Sequence, residues 1–242
     1  MFEDLIFDKH TLGRNILGSI NSVKSISRET ILKFIKRTYT TDQMVISSVG
    51  NISFQRLIRI IENRYGSIKP STRSFERKEF SDFLPQQKLI PLHIHQTHSI
   101  IGTMCYNMFD DKKNIFGLIN NLLGGPGMNT RLNISIREKN GLAYAVESSF
   151  QPLSDTGYFS VYIATDKDSV DKSIDLIHKE FSRMKTQKLG TLQLSRAKKQ
   201  FIGQIALSND SNLNEMLNIG KSCLYYNFVD AIEDVYKKIE SI

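Results

Sequence analysis

The sequence lacks the features that mark several classes of protein. It contains no tryptophan and only two cysteines, Cys105 and Cys223, and no apolar run approaches the ~18 residues that a membrane span requires. Two cysteines so far apart argue against a disulfide scaffold, and we interpret both as small buried hydrophobic residues. The hydrophobic fraction of 40% and the charged fraction of 24% are typical of a soluble globular protein.

The first residues also lack a basic region followed by a long apolar stretch. They do not resemble a secretory signal, which favours a cytoplasmic location; a natural N-terminus further upstream would leave a periplasmic location open. The net charge is +7, but the basic residues are interleaved with acids on predicted helical faces. This pattern does not indicate a nucleic-acid platform.

The N-terminal quarter predicts a helix, a strand and a second helix. Ser27 is placed to cap the first helix, and the run MVISSVG that follows it predicts a short buried strand. A second helix opens at Ser53 and is expected to end at Gly66 in the left-handed conformation. Such a unit cannot bury both faces of its strand alone, so it requires a sheet from elsewhere.

The rest of the chain predicts an α+β fold with a mixed or antiparallel sheet and helices packed on one face. A strand is expected between residues 88 and 106, followed by a helix that ends at the glycine pair near residue 124. The runs LAYAVESSF and GYFSVYIAT predict an antiparallel hairpin, and Asp168 is placed to cap a long helix after it. Residues 67–88 lack periodicity and contain two prolines, which marks a linker.

The histidines do not form a recognisable zinc motif. Both H-E-x-x-H and its inverse H-x-x-E-H are absent from the sequence. His93 and His95 would lie on one face of the predicted strand and His98 on the other, and no carboxylate or thiol has the spacing to complete a metal site. We therefore assign no metal ligand in this chain.

The loop GGPGMNTRL carries three glycines, Gly124, Gly125 and Gly127, but does not fit a phosphate cradle. It follows a helix rather than a strand, has a proline where an amide is needed, and lacks the expected lysine. A sharp turn between two helices is the structural interpretation that we favour.

One segment, IREKNGLAYAV, brings two hydrogen-bond donors together. Arg137 lies near the end of a predicted helix, and Tyr144 follows seven residues later at the start of a strand. A guanidinium and a phenol joined by such a turn can both donate to one carbonyl oxygen or oxyanion. A surface ion pair for Arg137 and a core position for Tyr144 is the alternative.

Residues 122–166, from LLGGPGMNTRL through IREKNGLAYAV to SDTGYFSVYIATD, resemble the second-domain signature of the pitrilysin/insulinase family of zinc metallopeptidases. Residues 10–53 are similar to the closing part of the first domain of that family. The resemblance implies two homologous peptidase-like domains of the LuxS/processing-peptidase type. Residues 1–68 would be the end of the first domain, 69–88 the linker, and 89–242 a nearly complete second domain.

Carried over to this sequence, the resemblance assigns Arg137 and Tyr144 to holding the substrate backbone or stabilising the tetrahedral intermediate. It places zinc in the portion of the first domain that carries H-x-x-E-H, or in a partner chain, so the chain is expected to be inactive alone. Its expected partners are a peptide or protein substrate and either a zinc-bearing chain or a second copy. The alternatives are a non-catalytic subunit of a two-chain processing-type peptidase and a structural or binding protein of the same fold.

A faint repeat links the two ends of the sequence. Aligning Ile26 with Ile242, an offset of roughly 216 residues, pairs Ser25 with Ser241. It suggests that residues 27–66 supply, in cis or by swapping, a helix–strand–helix that the second domain needs.

Overall fold

The computed structural model describes residues 1–76 and 79–242. Arg77 and Lys78, within the predicted linker, lie outside the described residues. The α-helices of the described chain are α1 (Phe2–Ile6), α2 (Ile20–Ser25), α3 (Arg28–Thr38), α4 (Phe54–Tyr65), α5 (Lys113–Gly124), α6 (Val170–Thr186), α7 (Thr191–Asn209), α8 (Asn212–Tyr226) and α9 (Ile232–Glu240). A π-helix covers Asn133–Glu138. None of the described helices combines the length and apolar character needed to cross a lipid bilayer.

The sheet has three antiparallel strands in the order β1-β3-β2. They are β1 (Thr97–Met104), β2 (Ala143–Pro152) and β3 (Gly157–Thr165), with β3 in the centre. The predicted hairpin is confirmed, because β2 and β3 pair over their whole length. The first strand is shorter than predicted and begins only at Thr97, where its pairing with Thr165 begins. The protein thus has the predicted α+β class.

The long helices α5 and α6 cover one face of this sheet. Val161 and Ile163 of β3 and Ile177 of α6 are fully buried. They form one cluster with Leu132 and Ile136 from the π-helix region. The predicted apolar stripe of α6 therefore packs on the hairpin.

The N-cap of helix α6 is Ser169 rather than the predicted Asp168, because a short 3-10 turn at Lys167–Ser169 precedes the helix.

The opposite face of the sheet carries the short helix α1, which the sequence analysis did not predict. Phe2 lies edge-on to Tyr158 of β3. A Cβ on Gly102 of β1 would collide with the Phe2 ring and would lie 2.6 Å from the carbonyl oxygen of Phe159. This close approach requires glycine at position 102. The Tyr158 hydroxyl donates to Glu3 at 2.8 Å. Burial, with help from Glu3, raises the pKa of Tyr158 to about 12.

Residue contacts divide the chain into two compact units. Unit 1 contains residues 1–16, 79–203 and 235–242, and unit 2 contains residues 17–78 and 204–234. The domain boundaries expected from the sequence describe homologous domains, which a division by residue contacts does not test. The end of a first domain at 1–68, the linker at 69–88 and the second domain at 89–242 therefore stay a prediction. The swapping of residues 27–66 also stays a prediction.

Unit 2 contains the two predicted N-terminal helices. Ser27 caps α3 as expected, since its hydroxyl accepts a hydrogen bond from the Thr30 amide. Gly66 ends α4 in a right-handed rather than the predicted left-handed conformation, with φ −63° and ψ −19°. The chain continues there as a tight turn in which the Ile68 amide donates to the Tyr65 carbonyl, so no left-handed residue is required.

The predicted buried strand in MVISSVG is wrong for the described chain. Residues 44–49 form no strand, and Met44, Val45 and Ile46 are exposed. The backbone at Met44 is extended, with φ −122° and ψ 135°. The segment has no described neighbour to pair with, and a strand requires pairing.

Truncation of a core residue measures how far unit 1 depends on the packing of α6 on the sheet. Ile177→Ala should lower the free energy of unfolding by about 2–5 kcal/mol, because it leaves a cavity in a fully buried site. Leu192→Ala is the matched control: the Leu192 side chain is 62% exposed, and its loss should cost less than about 0.5 kcal/mol. Denaturant titration followed by circular dichroism measures both; equal costs would contradict this packing.

Candidate functional site

The π-helix positions Arg137 at the start of a tight turn. The Gly141 amide donates to the Arg137 carbonyl at 2.9 Å, and the Leu142 amide to the Ile136 carbonyl at 3.0 Å. Gly141 has φ +60°, a conformation that glycine adopts without strain. The chain then enters β2 at Ala143, so Arg137 and Tyr144 lie on the two sides of one turn. Helices of the π type occur frequently at functional sites.

A β-bulge at the start of β2 determines where Tyr144 points. Ala143 pairs with Thr165 and Ala145 with Ala164, so Tyr144 is the extra residue. In regular alternation Tyr144 would share the core face with Val146. The bulge places Ala143 in the core instead and leaves Tyr144 57% exposed. Bulges commonly redirect a side chain beside an active site.

Both candidate side chains are therefore exposed. The alternative that placed Arg137 in a surface ion pair and Tyr144 in the core does not hold for the described residues. Arg137 is exposed and makes no ion pair or side-chain hydrogen bond within residues 1–76 and 79–242. Tyr144 is not a core residue. The structure places the two residues on one exposed turn.

Asp166 is a member of this site that the sequence analysis missed. The Tyr144 hydroxyl donates to both carboxylate oxygens, at 3.2 Å and 3.3 Å. Asp166 follows the last residue of β3, and only the register of the hairpin with its bulge brings it next to Tyr144. The negative charge of Asp166, and then its hydrogen bond, raise the pKa of Tyr144. Tyr144 therefore keeps its proton, and its ability to donate, to higher pH.

The glycine loop is a turn between α5 and the π-helix region. A Cβ on Gly124 would lie 2.7 Å from the Ser148 amide nitrogen of β2, so this glycine permits close packing of the helix on the strand. The Gly125 amide donates to Asn121, and the Gly127 amide to Gly125. These two amides are used within the loop and are not presented to a phosphate.

A cavity of about 240 Å³ opens beside this loop. Arg131 and Arg196 line it together with side-chain amides such as Asn129, and no carboxylate contributes to its wall. A reciprocal amide pair between Asn129 and Gln200 connects the loop to α7. The wall thus offers hydrogen-bond donors and positive charge.

The described residues do not fit a zinc ion. Neither described segment contains a group of three or more His, Cys, Asp or Glu side chains that could hold a metal. His93 and His95 precede β1 rather than lie on a strand, and His98 on β1 has its Nδ1 within 2.7 Å of the Tyr162 hydroxyl. Both cysteines are free and only partly buried, and burial raises the pKa of the Cys105 thiol, which disfavours the thiolate.

The antiparallel sheet with long helices on one face defines an α+β domain. The exposed turn that carries Arg137 and Tyr144 lies at one end of this sheet. A family model described as the peptidase M16 inactive domain matches residues 25–201. The match covers most of the chain, and the protein belongs to the peptidase M16 family, in the part described as its inactive domain.

Curated relatives carry the name zinc protease. The chain is 26% identical to an uncharacterized zinc protease of Streptomyces coelicolor, in an alignment covering 100% of the chain and 54% of the relative. It is 26% identical to the uncharacterized zinc protease YmxG of Bacillus subtilis, over 98% of the chain and 57% of the relative. The chain spans slightly more than half the length of these relatives.

Solved structures share the fold. The peptidase M16 inactive domain from Pseudomonas fluorescens matches with a TM-score of 0.89 at 20% identity, over 100% of this chain and 57% of that one. A chain of complex III2 from Candida albicans matches with a TM-score of 0.83 at 17% identity, over 100% of this chain and 60% of that one.

Removing the charge of Asp166 tests the contact that holds Tyr144. In Asp166→Asn the pKa of Tyr144 should fall toward its ordinary value, because the nearby negative charge no longer opposes ionisation of the phenol. The phenolate absorbance, recorded as a difference from the same protein carrying Tyr144→Phe, reports this titration. Asp168→Asn, two residues away, is the control and should leave the pKa unchanged. An unaltered Tyr144 titration in Asp166→Asn would refute the contact.

Proposed function

We propose that this chain positions peptide substrate for a pitrilysin-like zinc metallopeptidase whose zinc site lies outside the described residues. The observation that carries the proposal is the exposure of Arg137 and Tyr144 on the two sides of one turn. Family membership and the zinc-protease names of the relatives support the substrate class. The chain itself contains neither H-x-x-E-H nor a metal-binding cluster in its described residues.

The two donors suit different tasks at a peptide bond. Arg137 carries a permanent charge and a planar set of donors, which suits a substrate carbonyl or a carboxylate. The Tyr144 hydroxyl is a neutral donor that can stabilise negative charge developing on the carbonyl oxygen. Asp166 holds the phenol in place before substrate binds, and the hydroxyl must leave this carboxylate in order to donate to substrate. Asp166 is thus a positioning residue.

A second candidate is a non-catalytic subunit or binding protein of the same fold, in which Arg137 and Tyr144 contribute nothing to hydrolysis. The description of the matched domain as inactive supports this candidate. The two candidates differ in whether hydrolysis by an assembled peptidase depends on these side chains.

Kinetics of the assembled peptidase separate the candidates. The chain is combined with a peptidase domain that carries H-x-x-E-H, and peptide cleavage is measured. Tyr144→Phe and Arg137→Ala should each lower kcat/KM roughly 10²–10³-fold, the cost of losing one donor to the transition state. Arg137→Lys should recover only part of the loss, because a lysine cannot donate in the bidentate geometry.

Tyr162→Phe serves as the matched control, since it removes a phenol from the same sheet at a distance from the turn. Its kcat/KM should remain that of the parent. Parent-like rates for both Tyr144→Phe and Arg137→Ala would establish the non-catalytic candidate instead.

Zinc analysis tests the placement of the metal. After dialysis, the purified chain should hold far less than one equivalent of zinc, because its described histidines and cysteines do not converge on one position. Inductively coupled plasma mass spectrometry measures the content, and the double variant His93→Ala/His95→Ala should show the same value. One tightly held zinc ion per chain would contradict the placement.

A further inference from the structure

Two arginines without a counter-ion share the cavity beside the glycine loop, which we call the arginine cavity. Its wall includes Arg131, at the start of the helical segment 131–138, and Arg196 of α7. Neither guanidinium makes an ion pair or a hydrogen bond within the part of the chain that the structure describes. Two positive charges that line one small space repel each other, and a bound anion would remove this repulsion.

Two neutral side chains of the same wall have donors to spare. The Thr130 hydroxyl is buried and accepts a hydrogen bond from the Asn133 side chain at 3.1 Å, but its own proton reaches no acceptor among the described residues. The Gln193 Oε1 accepts from the Gly190 amide at 3.2 Å, and the Gln193 Nε2 has no described acceptor. Buried polar groups are normally satisfied, so this excess of donors indicates a ligand rich in acceptors.

The two sides of the arginine cavity are connected in the absence of a ligand. Asn129 Nδ2 donates to Gln200 Oε1 at 2.9 Å, and Gln200 Nε2 donates to Asn129 Oδ1 at 3.3 Å. This pair joins the loop that precedes Arg131 to the helix that carries Arg196. Donors that are held in place before binding lose less conformational entropy when a ligand arrives.

The volume and the donors limit the ligand to a small oxyanion. The cavity measures about 240 Å³, which is below the ~300–1,000 Å³ of pockets for drug-sized ligands. Guanidinium groups donate to a carboxylate in a planar, bidentate geometry. A free phosphate is commonly held by backbone amides, but the Gly125 and Gly127 amides of this loop donate within the loop. The wall therefore favours a carboxylate.

The arginine cavity lies within reach of a peptide held at Arg137. Arg131 and Arg137 belong to one continuous helical segment, residues 131–138. A rise of about 1.5 Å per residue places their Cα atoms about 9 Å apart. An extended peptide advances about 3.3 Å per residue, so about three peptide residues would span this distance.

We propose that the arginine cavity receives a carboxylate of the bound peptide and thereby selects acidic peptides. The carboxylate is held by Arg131 and Arg196, with Thr130 and Gln193 as neutral donors. The inference rests on the proposed function, and it adds a preference that Arg137 and Tyr144 do not supply. The same chemistry has two sources in a peptide, an acidic side chain and the free C-terminus, which the experiment below separates.

Peptide binding to the purified full chain, measured by fluorescence anisotropy, tests the preference. Three labelled peptide pools share randomised neighbours: one has a central Glu and blocked ends, one has a central Gln and blocked ends, and one has a central Gln and a free C-terminus. One of the two carboxylate pools should bind roughly 10–100-fold more tightly than the blocked Gln pool, the usual gain from hydrogen bonds to a charged group. The pool that gains identifies the source of the carboxylate.

Variants of the cavity wall locate the preference. Arg131→Gln and Arg196→Gln should each lower the ratio of affinities several-fold, and the double variant should abolish it. Lys199→Gln is the matched control, because it removes the same charge from α7 at an exposed position outside the cavity wall. Its ratio should equal that of the parent. Circular dichroism verifies folding; Arg196 is exposed, so its variant decides the test if Arg131→Gln unfolds.

Three results would overturn the carboxylate site: equal or undetectable binding of all three pools; a ratio that persists in the double variant; or a ratio that falls equally in Lys199→Gln. Binding of inorganic phosphate without any preference among the pools would assign the cavity to free phosphate and would also overturn it.

Arg137→Ala separates this inference from the proposed function. If both hold, the variant binds all three pools more weakly and keeps the ratio. Unchanged affinities in Arg137→Ala, together with parent-like hydrolysis, would remove the proposed function and leave the carboxylate site. Hydrolysis that depends on Arg137 and Tyr144 without any preference among the pools would do the reverse.

Discussion

The β-bulge at Tyr144 is the constraint on which the candidate site depends. Regular pairing of β2 with β3 would direct the phenol into the core beside Val146. The bulge makes Tyr144 an extra residue of β2, so its phenol points away from the core, and the small side chain of Ala143 lies on the buried face instead. The packing of α5 and α6 on the hairpin holds the register in which the bulge occurs. Core packing thereby fixes an exposed donor, with Asp166 within hydrogen-bond distance of it.

The two units differ in how far their apolar side chains are buried. Unit 1 buries its hairpin between α5 and α6 on one face and α1 on the other, and it contains Arg137, Tyr144 and the glycine loop. Unit 2 keeps the stripes of α3 and α4 exposed. The residues that we propose to position substrate, Arg137 and Tyr144, therefore lie in the unit that has a buried core of its own.

Much of unit 1 could be predicted from local pattern. Alternation over residues 142–150 and 157–165 determines the hairpin, and the 3–4 spacing from Val170 to Met184 determines α6, because each pattern matches a single regular structure. The bulge, and with it the contact of Asp166, could not be predicted, since alternation describes only regular strands. The strand predicted for MVISSVG failed for a related reason: an apolar run indicates that a segment can form a buried strand, but no strand of the described chain pairs with this one.

Amide hydrogen exchange of the purified chain tests the central claim that unit 2 lacks a core of its own. Without buried apolar packing, α3 and α4 should open far more readily than β3 and α6. The account predicts that amides of α3 and α4 exchange about a hundredfold faster, or more, than those of β3 and α6, after correction for intrinsic rates. Equal protection in the two units, measured on the monomeric chain, would contradict it.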